Sequence, residues 1–152
     1  MIEFALTIGL LLLCILTVIA APLWSIETES ATTAAELAAR LRIAARGVGV
    51  GQANQVDTTN AVATTAAPYR LLKATMFGTP VTTQAAGCPT GVVTYPATII
   101  LCSSSSGAGA TLKVTVRVYG CARSVVPVPI GGCKGGIVVD QLAVIHPPVY
   151  QQ

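Results

Sequence analysis

The chain has 152 residues, of which 53% are hydrophobic and only 10% are charged, whereas ordinary globular domains carry roughly 25% charged residues. This balance argues against a freely soluble protein, because much hydrophobic surface has to be covered by lipid or by neighbouring chains. The basic residues behind the net charge of +3 are dispersed along the sequence, which excludes a continuous basic surface for nucleic acid.

The first predicted element is an apolar helix. The run from Phe4 to Trp24 has about the 20 residues that are needed to cross the hydrocarbon of a bilayer. Glu3 stands at its head, where a carboxylate is costly unless it meets a partner, and an α-amino group is the obvious one. A secretory signal cleaved near Ala20 is the alternative, but no Lys or Arg precedes the run, and the run is longer than a usual signal core.

The sequence Glu-Phe-Ala-Leu at residues 3 to 6, followed by leucines, resembles the type IV pilin superfamily and is most similar to its TadE-like branch. The resemblance covers about the first 50 residues. It implies a filament built from the apolar helix, with the early glutamate paired to the N-terminal amine of a neighbouring subunit, and hence assembly roles for Met1, Glu3 and Phe4. Pro22 matches a helix-breaking proline of many pilins. The family's glutamate usually lies fifth in the mature chain, so either two residues precede this sequence or the processing site differs.

A second helical stretch is predicted from Ser25 to Arg46, before a series of glycines. Its predicted apolar face consists of Leu37, Leu41, Ala44 and Val48. If Pro22 only bends the chain, residues 2 to 46 form one helix of about 65 to 70 Å. Because Pro22 cannot donate a hydrogen bond to the Val18 carbonyl, we expect a bend or a melted turn near residues 18 to 22. A filament core has a use for such a rod, whereas a soluble monomer does not.

The remainder of the chain predicts a small antiparallel β domain, so the expected fold class is α+β. The clearest strand is Thr111 to Tyr119, in which apolar and polar residues alternate. Further candidate strands lie at 69–77, 92–95, 98–102 and 137–145. We therefore divide the chain into a membrane or filament-core helix at residues 1–48, a linker at 49–68 and an extracellular β-rich domain at 69–152.

Four of the five cysteines, Cys88, Cys102, Cys121 and Cys133, lie in the predicted β domain, and an even number in a small exported domain predicts two disulfides. Three connectivities are possible. We favour Cys88 with Cys102 and Cys121 with Cys133, because each pair brackets a short turn-rich segment. Closing such loops gives roughly 3 kcal/mol each in the chain-entropy model. Cys14 lies in the apolar run and is predicted to be a small buried hydrophobic residue.

The residue types of a catalytic site are mostly missing, so we predict that the protein is not an enzyme and has no cofactor or metal site. His146 is the only histidine, and no Ser or Cys nucleophile motif accompanies it. A carboxylate pair would have to join Asp57 with Asp140, which no sequence feature supports. The cysteines lack the spacing of a metal site, and the glycine-rich residues 131–136 lack the pattern of a phosphate-binding loop.

Two classes of function are therefore predicted. In the first, the protein is a structural subunit of an extracellular type IV pilus-like filament, and its partners are copies of itself, the inner membrane before assembly, and the assembly machinery. In the second, it is a minor pseudopilin or a single-pass membrane-anchored binding module of a secretion or adhesion apparatus. The task of the filament, whether adhesion, motility or DNA uptake, does not follow from the helix architecture.

Overall fold

The chain forms a long helix followed by a short helix and a four-stranded sheet, which confirms the α+β class. The computed structural model describes residues 2–47, 64, 66–84, 87–107, 111–124, 133–134 and 136–146. The elements are α1 (Ile2–Gly47), α2 (Ala67–Thr75), β1 (Val81–Gln84), β2 (Ile99–Ser106), β3 (Lys113–Arg123) and β4 (Gly136–Ile145). The predicted boundary at residue 48 and most of the predicted linker lie outside the described residues.

Helix α1 is uninterrupted over 46 residues, which corresponds to about 69 Å at 1.5 Å per residue. It continues through Pro22, so the turn at residues 18 to 22 is not melted. The alternative expectation, a bend at this turn, stays a prediction. Pro22 removes one hydrogen bond, to the Val18 carbonyl, while the bonds of the turns on either side maintain the helix.

The second half of α1 packs on the sheet through a stripe of alanines. The fully buried members are Ala31, Ala34, Ala35, Ala38 and Ala39. Their spacing places them on one helix face, and their small side chains let the helix approach the valines of β3 closely. The predicted face was wrong, because Leu37 and Leu41 are only partly buried and Ala44 is exposed; Val48 lies outside the described residues. Larger side chains on the sheet side would hold the two backbones further apart.

The strands lie in the order β1-β2-β3-β4. The pairs β2-β3 and β3-β4 are antiparallel, whereas β1 is parallel to β2, with Val81 opposite Ile99. The sheet is therefore mixed, and the prediction of a wholly antiparallel sheet was wrong for β1. The physical reason is the long connection between Gln84 and Ile99, which returns the chain to the same end of the sheet, as a parallel pair requires.

The strand predictions were correct where apolar and polar residues alternate over many positions. In β3 the side chains of Val114, Val116 and Val118 are fully buried on the face that α1 covers. Residues 69–77, predicted as a strand, mostly form α2, and residues 92–95, also predicted as a strand, are not one. Pro89 and Pro96 flank the latter segment, and proline cannot donate to a strand ladder.

Both helices cover the same face of the sheet. Helix α1 lies over β3 and β4, and α2 packs between α1 and β1. The core joins the alanine stripe to Leu72 and Met76 and to the inward residues of the strands. At Gly120, with φ 147°, a side chain would collide with the Thr98 carbonyl. The close approach of β3 to the residue just before β2 therefore requires glycine.

Two disulfides fasten the opposite face. Cys88 is bonded to Cys102, which ties residues 87–98 to β2, and Cys121 is bonded to Cys133, which ties β3 to the chain just before β4. This is the connectivity that the short loop lengths favour.

Candidate functional site

The first half of α1 exposes apolar side chains on every side. We refer to residues 4–24 as the apolar segment. Apart from Leu23, which is partly buried, its large hydrophobic side chains are between 44% and 72% exposed. They are Phe4, Leu6, Ile8, Leu10, Leu11, Leu12, Leu13, Ile15, Leu16, Val18, Ile19 and Trp24. Monomeric soluble proteins rarely expose a continuous apolar surface of this extent, so this segment is the candidate surface for contact with a partner or with lipid.

The apolar segment matches the thickness of a membrane. Its 21 residues extend about 31 Å, against about 30 Å for the hydrocarbon core of a bilayer. Among the described residues, α1 is the one helix that is long and apolar enough to cross a membrane by length and composition. Completing the burial of its large side chains would contribute on the order of 10 to 20 kcal/mol before the loss of entropy on ordering.

The hydroxyl groups of the apolar segment are satisfied within the helix. Thr7 Oγ1 donates to the carbonyls of Glu3 and Phe4, at 3.0 and 2.9 Å, and Thr17 Oγ1 donates to the Cys14 carbonyl at 2.8 Å. Bonds of this kind remove the need for water. The segment can therefore be transferred from lipid to a protein surrounding without losing these hydrogen bonds.

Gly9 makes a notch in the apolar surface. Ala5 and Gly9 are four residues apart and share a helix face, and a Cβ at Gly9 would meet nothing within 4 Å. Leu6, Leu10 and Leu13 flank the notch. Small residues at this spacing let two helices approach closely. The small-x3-small pattern was the sequence signal for this feature, and hydrophobicity alone does not reveal it.

The predicted assembly residues mark the two ends of one surface. Glu3 and Phe4 lie in the first turn of α1 and are exposed, where the helix dipole favours an anion. Pro22 lies about 28 Å further along the axis. Met1 lies outside the described residues, so the pairing of Glu3 with an amine stays a prediction.

Cys14 is the free thiol of the chain. It is exposed on the apolar segment, while the other four of the five cysteines are in disulfides. Cys14 is therefore not buried in the single chain, contrary to the prediction.

A polar cluster lies on the outer face of the sheet. Arg117 donates from Nε and Nη2 to the two carboxylate oxygens of Asp140, at 2.7 and 2.6 Å, and from Nη1 to the carbonyls of Pro89 and Gly91, at 2.9 and 3.0 Å. The Tyr95 hydroxyl donates to Asp140 Oδ2 at 2.9 Å. These bonds fix residues 87–98 onto β3 and β4.

The charges of this cluster are engaged in the fold. The hydrogen bonds from Arg117 hold the pKa of Asp140 below its ordinary value, and the hydrogen bond to Asp140 raises the pKa of Tyr95. The Arg117 guanidinium also lies 5.6 Å from the centre of the Tyr119 ring, within reach of a cation–π interaction. The cluster therefore contains an ionised carboxylate whose two oxygens accept hydrogen bonds from Arg117 and Tyr95.

Of the other residues weighed for chemistry, Asp140 pairs with Arg117, and His146 is exposed just after β4. Asp57, the second acid of the carboxylate pair that was considered, lies outside the described residues. In the part of the chain that the structure describes, no group of three or more His, Cys, Asp or Glu side chains could hold a metal ion.

Glu27 lies at the junction between the apolar segment and the domain. Its side chain is 2% exposed, and among the described residues its Oε2 has no hydrogen-bond partner. Burial raises the pKa of Glu27 to about 7. The carboxyl borders a cavity of about 20 Å³, which admits about one water molecule. The other lining residues are Ala20, Leu23, Phe77, Arg123, Ser124 and Ile137.

No sequence signal distinguishes Glu27 from the other acids of the helix. Its burial comes from distant parts of the chain, namely the turn after α2, the end of β3 and the start of β4. Helical periodicity places Glu27 on a helix but cannot show what covers it.

Comparisons of the chain with family models, with curated proteins and with solved structures gave no match.

Proposed function

We propose that the protein is a structural subunit of an extracellular type IV pilus-like filament that assembles through the apolar segment of α1. The observation that carries this proposal is the change of exposure along one helix. Residues 4–24 expose large hydrophobic side chains on every side, whereas the alanine stripe further along is buried against the sheet. The domain lies beyond the apolar segment and leaves it bare, but copies packed side by side would cover one another.

Exposure on all sides favours an open polymer over a closed dimer. A dimer covers one face of each helix, while a subunit that is surrounded by neighbours covers every face. Contacts that do not close into a ring generate helical filaments. The Gly9 notch and the internally bonded threonines support close packing of helices in such a core.

The domain suits the outside of a filament in an oxidising compartment. Its two disulfides are of the kind that persists outside the cytoplasm. Before assembly the apolar segment, at about 31 Å, fits a bilayer, so the proposal includes an inner-membrane pool and an assembly machinery that transfers subunits into the filament. The resemblance of residues 3 to 6 to the pilin superfamily supports the same sequence of events.

A second candidate is a minor pseudopilin or a membrane-anchored binding module. The length match between the apolar segment and the hydrocarbon core favours it, because lipid alone would then cover the helix. The two candidates differ in what happens when lipid or detergent is removed.

The test is assembly on detergent removal, followed by imaging of the product. We expect filaments of the full chain in which residues 4–24 form the core at side-chain resolution, and abundant protein in sheared surface filaments. A variant that lacks residues 1–24 should be a soluble monomer with its β structure intact. Filaments formed by that variant, or a full chain that stays monomeric in vesicles and never polymerises, would contradict the proposal.

A further inference from the structure

The cavity beside Glu27 lies between the apolar segment, which would be buried in the proposed filament, and the domain, which would stay in water. Ala20 and Leu23, which form its wall on α1, are only partly buried in the single chain. The remaining walls belong to the domain. A neighbouring helix that packs on the apolar segment at Ala20 and Leu23 would therefore enclose this cavity further.

We propose that Glu27 takes up a proton when the subunit enters the filament, so that assembly is coupled to pH; the inference rests on the proposed function. A buried carboxylate with an unbonded oxygen is costly, and closing the cavity would remove the water that it can still reach. The neutral acid avoids most of this cost. The added proton resides on the carboxyl group and comes from solvent, so no other reactant is needed.

The membrane form leaves this group closer to water than the filament does. Glu27 lies three residues beyond Trp24, or about 4.5 Å along the helix axis, which places it at the headgroup level when the apolar segment spans the bilayer. Water is available there. The Glu27 side chain is already only 2% exposed in the single chain, so the transfer from membrane to filament is the step that completes its dehydration.

A cationic partner is the competing way to satisfy the carboxylate. A volume of about 20 Å³ admits about one water molecule, which leaves no room for the guanidinium group of a neighbouring subunit. An ammonium group is about the size of a water molecule, so the direction of the pH dependence is what distinguishes it from the neutral acid. Arg123, at the end of β3, is the charged group that lines the cavity together with Glu27, while Phe77 and Ile137 bring no charge from the turn after α2 and from β4. Arg123 is exposed and does not bond to Glu27 Oε2.

The test measures the critical concentration of the full chain on detergent removal between about pH 5.5 and 8.5 at constant ionic strength. Burial already places the pKa of Glu27 at about 7 in the single chain. If the filament holds the extra proton, the critical concentration is level below about pH 7 and then rises by up to about tenfold per pH unit. Glu27→Gln, which mimics the neutral acid, should remove this rise and assemble at pH 8.5 as well as at pH 6. Glu29→Gln, an exposed acid on the same helix, should retain it.

A second variant separates the proton from the ion pair. Arg123→Gln removes a nearby positive charge, so it should move the onset of the rise to higher pH. A wild-type critical concentration that is independent of pH, or that falls as pH rises, would overturn the inference while leaving the filament intact; the falling curve would indicate a cation paired with Glu27. A wild-type chain that forms no filament at any pH would overturn the proposed function, and the inference with it.

Discussion

Glu3 and Glu27 stand at the two ends of the apolar segment in opposite surroundings. They are 24 residues apart, or about 36 Å of helix. Glu3 is exposed in the first turn, whereas the Glu27 side chain is 2% exposed beneath the ends of β3 and β4. The exposed apolar segment lies between them. Glu3 therefore tests whether the start of this segment is buried on assembly, and Glu27 tests whether its junction with the domain is.

Replacing Glu3 should prevent or slow assembly. In the proposed filament core an unpaired carboxylate would cost several kcal/mol, and a pair with an amine would recover much of this cost and fix the axial register. We expect Glu3→Ala to lower filament yield strongly, while circular dichroism shows an intact domain. Glu29→Ala, on the same helix but outside the apolar segment, is the matched control and should assemble normally. Normal yield from Glu3→Ala would exclude an assembly role for this residue.

The notch at Gly9 predicts a graded response to side-chain size. Gly9→Ala adds one methyl group and favours the helix by up to about 1 kcal/mol, so filaments should form as before. Gly9→Leu fills the notch and should separate neighbouring helices and reduce assembly. Electron microscopy of detergent-free samples measures the outcome. Equal assembly of both variants would show that Gly9 faces no neighbour.

The single free thiol allows the covering of the helix to be observed directly. Cys14 is exposed in the single chain, so a membrane-permeant maleimide should label it in detergent micelles. Packing of neighbouring helices should slow this labelling by at least about tenfold in the filament, because the reagent must then wait for local opening. The disulfide-bonded cysteines should not react without reductant. Equal labelling rates in micelles and filaments would place Cys14 outside the core.

The ion pair between Arg117 and Asp140 should matter far more to domain stability than the exposed pair between Glu36 and Arg40. Its side chains are 11% and 23% exposed, and the pair also anchors residues 87–98. Asp140→Asn leaves a mostly buried guanidinium without its anion, so we expect a loss of about 2 to 4 kcal/mol. Glu36→Gln breaks a 3.8 Å contact between side chains that are more than half exposed, and should cost less than about 0.5 kcal/mol. Denaturant unfolding of the detergent-solubilised chain measures both.

The stability of the chain should be greatest at mildly acidic pH. Asp140 has a depressed pKa, so its contribution is present above its ordinary value of 3.8 and is lost as the pH falls further. Glu27 has a raised pKa, so between 4.5 and about 7 the folded chain binds more protons than the unfolded chain, and stability falls as the pH rises through that window. Unfolding of Glu27→Gln should lack the second slope. A wild-type profile that is level from pH 4.5 to 7 would contradict the assignment to Glu27.

The sequence predicts best the features that depend on one element at a time. Alternation over β3 identifies both the strand and its buried face, because that pattern repeats over nine positions. The alternation of apolar and polar residues shows which face of a sheet a residue occupies, but it does not show which strand is the neighbour. The parallel pairing of β1 with β2 therefore could not be predicted from it. Residues 69–77 are too few to separate a helix from a strand by periodicity, and their packing against α1 decides the outcome.

The polar sites depend on contacts that are distant in sequence. Arg117 stands at a polar position of β3, where the pattern predicts solvent, yet its side chain is 11% exposed because residues 87–98 cover it. The burial of Glu27 has the same kind of origin. The exposed apolar segment, in contrast, could be predicted from the sequence, because a helix without charged residues on any face has no side that favours water.

The continuity of α1 through Pro22 has a mechanical consequence. In the proposed filament, a tensile force on the domain of one subunit would be transmitted through the alanine stripe to α1, and along α1 to the filament core. The Val18 carbonyl receives no hydrogen bond from Pro22, so the helix resists extension least at this turn. Under tension we expect the helix to lengthen there first, from about 1.5 Å towards 3.3 Å per residue, while the domain and the packed core keep their shapes.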